Sequence, residues 1–106
     1  MTQRTMSEPA TDRYLYNTTW RVHPDVEVQQ LEGNNVLVHL GTNRLFELNE
    51  TASRFWELLA DGSQLESILG QMLSEYDVDP DTLRGEVEKS LRMLIEEDVV
   101  ESYARD

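Results

Sequence analysis

Two histidines and several clusters of carboxylates are the residues in this chain whose types could do chemistry, and the spacing that each chemistry needs decides which of them can. His23 and His39 are sixteen positions apart and form no His-x-x-x-His pair, so they do not have the spacing of a helical metal site or an obvious general base. His39 is at the parity opposite Val36 and Val38, which predicts that it points away from the core side of its strand. Asp77, Asp79 and Asp81 match the first three ligand positions of a calcium loop, with Glu88 at the twelfth. Thr82 stands where that loop needs glycine, and Pro80 stiffens a segment that would have to wrap an ion. These carboxylates are better read as caps and first-turn anions of a helix. Glu86 with Glu88, and Glu96, Glu97 and Asp98, read as solvated helix faces rather than acid–base pairs. A Gly-rich phosphate loop and a Gly-x-Ser-x-Gly elbow are both absent from the sequence. The expectation is no catalytic residue, no metal and no cofactor.

With no cysteine, disulfides and thiolate sites are excluded, so the fold must rest on its core. A chain of 106 residues suits one modest domain. The formal net charge is -12, and it is unevenly spread. Residues 1–24 hold three basic and two acidic side chains, whereas residues 25–106 hold six and nineteen, a net of -13 for that part. Such a surface repels nucleic acid and anionic lipid, and either attracts a cationic partner or serves solubility alone. No apolar run is long enough to span a membrane, and the first residues lack the apolar stretch of a secretory signal, so a cytoplasmic location is expected.

The elements follow from periodicity. Residues 1–22 are polar and read as a flexible N-terminal extension, with Tyr14, Tyr16 and Trp20 able to dock, ahead of a domain over residues 23–104. VEVQQL, VLVHL and RLFEL are separated by EGNN and GTN, which predicts a three-stranded antiparallel meander. Val26, Val28, Val36, Val38, Phe46 and Leu48 are expected on its buried face, and Glu27, Gln29 and Glu47 on the other. Three helices follow. The first spans about 50–60 behind an Asn49 cap and stops at Asp61-Gly62. The second opens on a Ser63–Glu66 capping box, with Leu65, Ile68, Leu69, Met72, Leu73 and Tyr76 as its stripe. The third begins near Asp79-Pro80 and buries Leu83, Val87, Leu91, Leu94 and Ile95, before Val99-Val100 turn extended. Segregated strands and helices make this an α+β domain with its helices on one face of the sheet.

A strand that runs straight into a capped helix, LFELNETASRFWELLADG, followed by an Ile-Leu helix ending in Tyr76-Asp77-Val78 and a last helix closing on Val99-Val100, resembles the PqqD-like family. The resemblance covers roughly residues 26–103, and Leu48-Asn49-Glu50-Thr51-Ala52 is its most specific part. It implies a winged helix-turn-helix-like domain, three strands before three helices, that binds the leader segment of a ribosomally synthesised precursor peptide and performs no chemistry itself. The leader would add as a strand to Arg44, Leu45, Phe46, Glu47 and Leu48. It would lie against the last helix among Glu86, Val87, Ser90, Leu91, Met93 and Leu94. Strand addition supplies main-chain affinity, and side-chain pockets supply selectivity. Phe46, Leu48, Val87, Leu91 and Leu94 are equally accounted for as core.

The implied partners are a precursor peptide with basic residues and a maturation enzyme, either a lasso-peptide leader peptidase or a radical SAM enzyme as in the quinone cofactor pathway. The exposed edge at residues 44–48 could also pair with its own copy, or the N-terminal arm could exchange, giving a homodimer. The competing readings are a winged-helix transcriptional regulator and a plain protein-interaction module. Against the regulator, residues 75–101 hold ten acidic and three basic side chains where a recognition helix needs cations.

Overall fold

The computed structural model describes residues 14–103. The expectation of flexibility over residues 1–13 lies outside them. Residues 14–17 form a helical turn, after which come β1 (Thr19–Val22), β2 (Val26–Leu31), β3 (Asn34–His39) and β4 (Arg44–Glu47). The helices α1 (Glu50–Ala60), α2 (Leu65–Glu75) and α3 (Pro80–Glu96) follow, and β5 (Val100–Tyr103) closes the fold. Strands β2, β3 and β4 form an antiparallel sheet in that order, as the hairpin signals predicted.

The helix boundaries follow local capping chemistry. Asn49 accepts from the Ala52 N–H at 2.9 Å to start α1, and Gly62, at φ 95°, lets the chain leave it in a left-handed conformation. Asp79 accepts from the Thr82 N–H at 3.1 Å, with Pro80 at the first position of α3. The capping box expected at Ser63 does not form. Gln64 occupies the cap position of α2 and makes no side-chain cap bond, because the helix starts one residue later than the box requires. Phe55, Trp56 and Leu59 of α1, Leu65, Ile68 and Met72 of α2, and Leu83, Val87, Leu91 and Leu94 of α3 meet in one core. That burial is the dominant stabilising term in a chain without cross-links.

The sheet corrects the expected facing of β3. Leu37 pairs with Val28 and Phe46 and is fully buried, so Asn35, Leu37 and His39 face the core. Val36 and Val38 pair with Glu47 and Leu45 on the outer face. His39, expected outside, is 2% exposed, and Val28, expected inside, is 45% exposed. The cause is that β3 carries apolar residues in both phases, and polar partners rather than hydropathy settle which phase goes inward. Asn35 gives its N–H to Ser53 Oγ at 2.9 Å, and its side-chain amide to the Ser53 carbonyl at 3.4 Å. His39 Nδ1 accepts from the Gly41 and Thr42 N–H groups at 3.1 and 3.3 Å. The ring proton therefore sits on Nε2, which donates to the Asp98 carbonyl at 3.1 Å.

The fold also begins earlier than residue 23. β1 pairs with β5 antiparallel, Thr19 opposite Tyr103 and Val22 opposite Val100. Leu15 and Trp20 are buried in the core, and the Trp20 indole donates to the Leu15 carbonyl at 3.3 Å. Tyr16 reaches α3, donating to Glu88 at 2.7 Å and accepting from Arg84 at 2.7 Å. Burial, reinforced by the Glu88 carboxylate, raises its pKa. An arm with one aliphatic anchor, Leu15, and two aromatic ones, Tyr16 and Trp20, can offset the entropy of ordering, which its polar composition concealed.

Candidate peptide groove

β4 sits at one edge of the sheet, and its backbone geometry can be read from the ladder. The Leu48 N–H donates to the Asn35 carbonyl at 2.9 Å, which makes 35 and 48 a hydrogen-bonded pair. In an antiparallel ladder such pairs recur every second residue, so Phe46 and Arg44 also turn their backbone groups toward Leu37 and His39. Leu45 and Glu47 then turn their N–H and C=O groups away from β3, along the free edge. A strand laid there would find two donors and two acceptors already aligned.

Where the chain leaves β4 at Asn49, helices wall a cleft. α3 packs closely on α1, α2 and β5 but not on β4. A cleft of about 380 Å³ lies between the start of α1 and the middle of α3, lined by Asn49, Thr51, Ala52, Phe55, Glu86, Val87, Lys89, Ser90 and Met93. Its floor is apolar through Ala52, Phe55, Val87 and Met93, and its rim carries one carboxylate and one ammonium. Such a cleft can take an apolar side chain while hydrogen-bonding groups at the rim orient it. At the other end, Arg44 crosses from β4 to α3, 3.4 Å from the Glu97 carboxylate, with its guanidinium 5.7 Å from the Phe46 ring centre.

Of the residues named from sequence, Glu86, Val87, Ser90 and Met93 line the cleft. Arg44, Leu45 and Glu47 are exposed on β4, and Phe46 is half-buried on the core side. Leu48, Leu91 and Leu94 are buried in the core, where they support the groove wall from behind. Missing from the sequence reading were Asn49, Thr51, Ala52, Phe55 and Lys89. The Asn49 cap fixes where α1 starts and so puts residues 51, 52 and 55 on one side of it, but that this side meets α3 depends on the angle between the two helices.

His23 Nε2 and His39 Nε2 lie 3.8 and 4.0 Å from an Asp98 carboxylate oxygen, and the three ligand atoms fall within 4.8 Å of one another. In both rings Nδ1 accepts a backbone N–H, for His23 from Asp25 at 3.0 Å, so each Nε2 carries the proton and has no lone pair to give a cation. This is a tie between the β1–β2 link, the β3–β4 turn and the turn after α3. No helix among the described residues is long and apolar enough to cross a membrane.

A three-stranded antiparallel sheet followed by three helices, with a cleft between the first and the last of them, is a winged-helix-like α+β architecture. Residues 34–100 match the coenzyme PQQ synthesis protein D (PqqD) family, and the chain belongs to it. Among solved structures, TbiB1 in complex with the TbiA(beta) leader peptide is 32% identical with a TM-score of 0.73, over 80% of this chain and 99% of that one. Lasso peptide synthetase B1 complexed with the leader peptide shares the fold, at 23% identity and a TM-score of 0.71, over 77% and 96% of the two chains. A comparison with curated proteins finds no match.

Proposed function

We propose that this protein is a non-catalytic recognition element that binds the leader segment of a ribosomally synthesised precursor peptide and presents it, in the cytosol, to a separate maturation enzyme. The observation that carries this reading is the free β4 edge, with Leu45 and Glu47 turned outward, followed two residues later by Asn49, which lines the cleft between α1 and α3. A leader strand added to that edge places alternate side chains toward the cleft, and main-chain bonds and one anchored side chain then act together. Glu47, Glu86 and Glu97 supply carboxylates for a basic leader. The kinship with TbiB1, whose solved structure is a complex with a leader peptide, supports the same use of this chain.

The maturation enzyme, a leader peptidase or a radical SAM enzyme, meets the outer face of the sheet. Leu45, 65% exposed, and Leu31, 56% exposed, flank Val36 and Val38 there, with Glu27 and Glu47 as an acidic rim. Tethering the peptide beside an active site raises its effective concentration, which is how a protein without chemistry accelerates a reaction. The test is calorimetric titration with the leader half of a small precursor peptide encoded beside this protein, at two salt concentrations. Dissociation constants of about 0.1–10 µM that rise with salt are expected. A folded sample that takes up no leader refutes the reading.

A further inference from the structure

β4 is one edge of the sheet; β2 is the other, and its features point to a different occupant. β3 is its substantial neighbour, and five of its six residues are exposed. The Leu40 N–H donates to the Asp25 carbonyl at 2.9 Å, so within the β2–β3 register the odd-numbered residues of β2 bond to β3. Val26, Val28 and Gln30 therefore turn their backbone groups outward. The Val26 N–H is already given to the His23 carbonyl at 3.0 Å; its C=O and both groups of Val28 and Gln30 are left facing the edge. Proline, lysine and bulges, the usual guards of a free edge, are all missing from VEVQQL.

We infer that the β2 edge pairs with the β2 edge of a second copy, antiparallel about a two-fold axis at Val28, joining two sheets into one of six strands. The strand is self-complementary in that register. Val28 meets Val28 of the partner copy, Val26 meets Gln30, and Glu27 meets Gln29, so no carboxylate of β2 faces another. Two bonds form at Val28, and two run from the Gln30 N–H to the Val26 carbonyl, four in all. The side chains of the two Val28 residues, each 45% exposed in the single copy, cover one another on the face toward the helices. Centring the axis on Val26 instead sets Glu27 against Asp25, and centring it on Gln30 leaves half of the strand unpaired. The peptide edge, β4, stays open at both ends of the six-stranded sheet, and the dimer is bivalent.

One strand pair buries little surface, so the association is weak and reversible, and a charge of -12 on each copy opposes it until salt screens the repulsion. Sedimentation velocity of the full chain from about 10 µM to about 1 mM is expected to show a monomer–dimer equilibrium that shifts toward dimer as salt rises. Val28→Pro, whose lost N–H points away from β3, abolishes the dimer. Gln29→Lys tightens it roughly 2- to 30-fold by facing Glu27 of the other copy, and Gln29→Glu weakens it by a similar factor. Monomer throughout the range overturns the inference, as do indistinguishable Gln29→Lys and Gln29→Glu variants. Leader peptide that dissociates the dimer also overturns it, since that result assigns self-pairing to β4. The charge variants keep the test decisive if Val28→Pro does not fold, and all of these readouts are independent of whether the peptide binds.

Discussion

Leu45 and Phe46 are adjacent in β4 yet turn their backbone groups in opposite directions, Phe46 into the ladder with Leu37 and Leu45 out along the free edge. Proline at the two positions therefore has opposite consequences. Leu45→Pro removes an edge donor and is expected to weaken leader binding at least tenfold with the circular dichroism spectrum unchanged. Phe46→Pro breaks the ladder and leaves the Leu37 carbonyl without its donor, which costs about 1–3 kcal/mol in urea unfolding. Equal effects on affinity and stability at both sites would refute strand addition at this edge.

The cleft offers a second handle on the same function. Ala52→Trp fills it from α1 and is expected to lower leader affinity about tenfold while stability changes by less than about 1 kcal/mol. Glu86→Lys reverses the charge of the rim. With a basic leader it costs roughly three- to tenfold in affinity at low salt and flattens the salt dependence, both read by calorimetry.

His39 ties two turns together from a position 2% exposed. His39→Ala leaves the Gly41 and Thr42 N–H groups and the Asp98 carbonyl without their partner and opens a cavity. The expected loss is about 2–4 kcal/mol in chemical denaturation. His39→Asn, which can replace one of these bonds, should recover part of it.

Arg54 joins α1 to α2 through two bonds to Glu75, at 2.8 and 2.7 Å. Those bonds, with a further one from Gln71, hold the Glu75 carboxyl down to about 2 from an ordinary 4.5. A depressed carboxyl stabilises the fold above its unfolded pKa, and that contribution fades as pH falls from about 4.5 through about 2. Glu75→Gln should therefore flatten the stability curve over this acid range, followed by the urea midpoint at a series of pH values. A variant curve as steep as the parent's would sink the assignment.

Helices α1 and α3 could be read almost to the residue because each has a cap or stop that acts locally, Asn49 and Gly62 for α1 and Asp79 with Pro80 for α3. The meander was legible for the same reason, through its Gly and Asn turns. The facing of β3 was not. Val36, Leu37 and Val38 are all apolar, and the choice falls to Asn35 and His39, whose partners Ser53 and Asp98 are far along the chain. β1 was missed because TWRV pairs with a strand some eighty residues later, a contact that no local pattern announces. The groove was half legible: Glu86, Val87, Ser90 and Met93 lie on the helical phase of α3, whereas Thr51, Ala52 and Phe55 enter it only once the angle between α1 and α3 is known.

The pairing of Thr19 with Tyr103 brings the two ends of the described chain side by side, on one flank of the domain. A domain with that layout can be spliced into a surface loop of another protein, or fused at either terminus, without stretching across its host. The fold is thus portable: a biosynthetic enzyme that carried it as an insert would keep β4 and the α1–α3 cleft unobstructed, because the points of attachment belong to β1 and β5 and not to the β2–β3–β4 sheet.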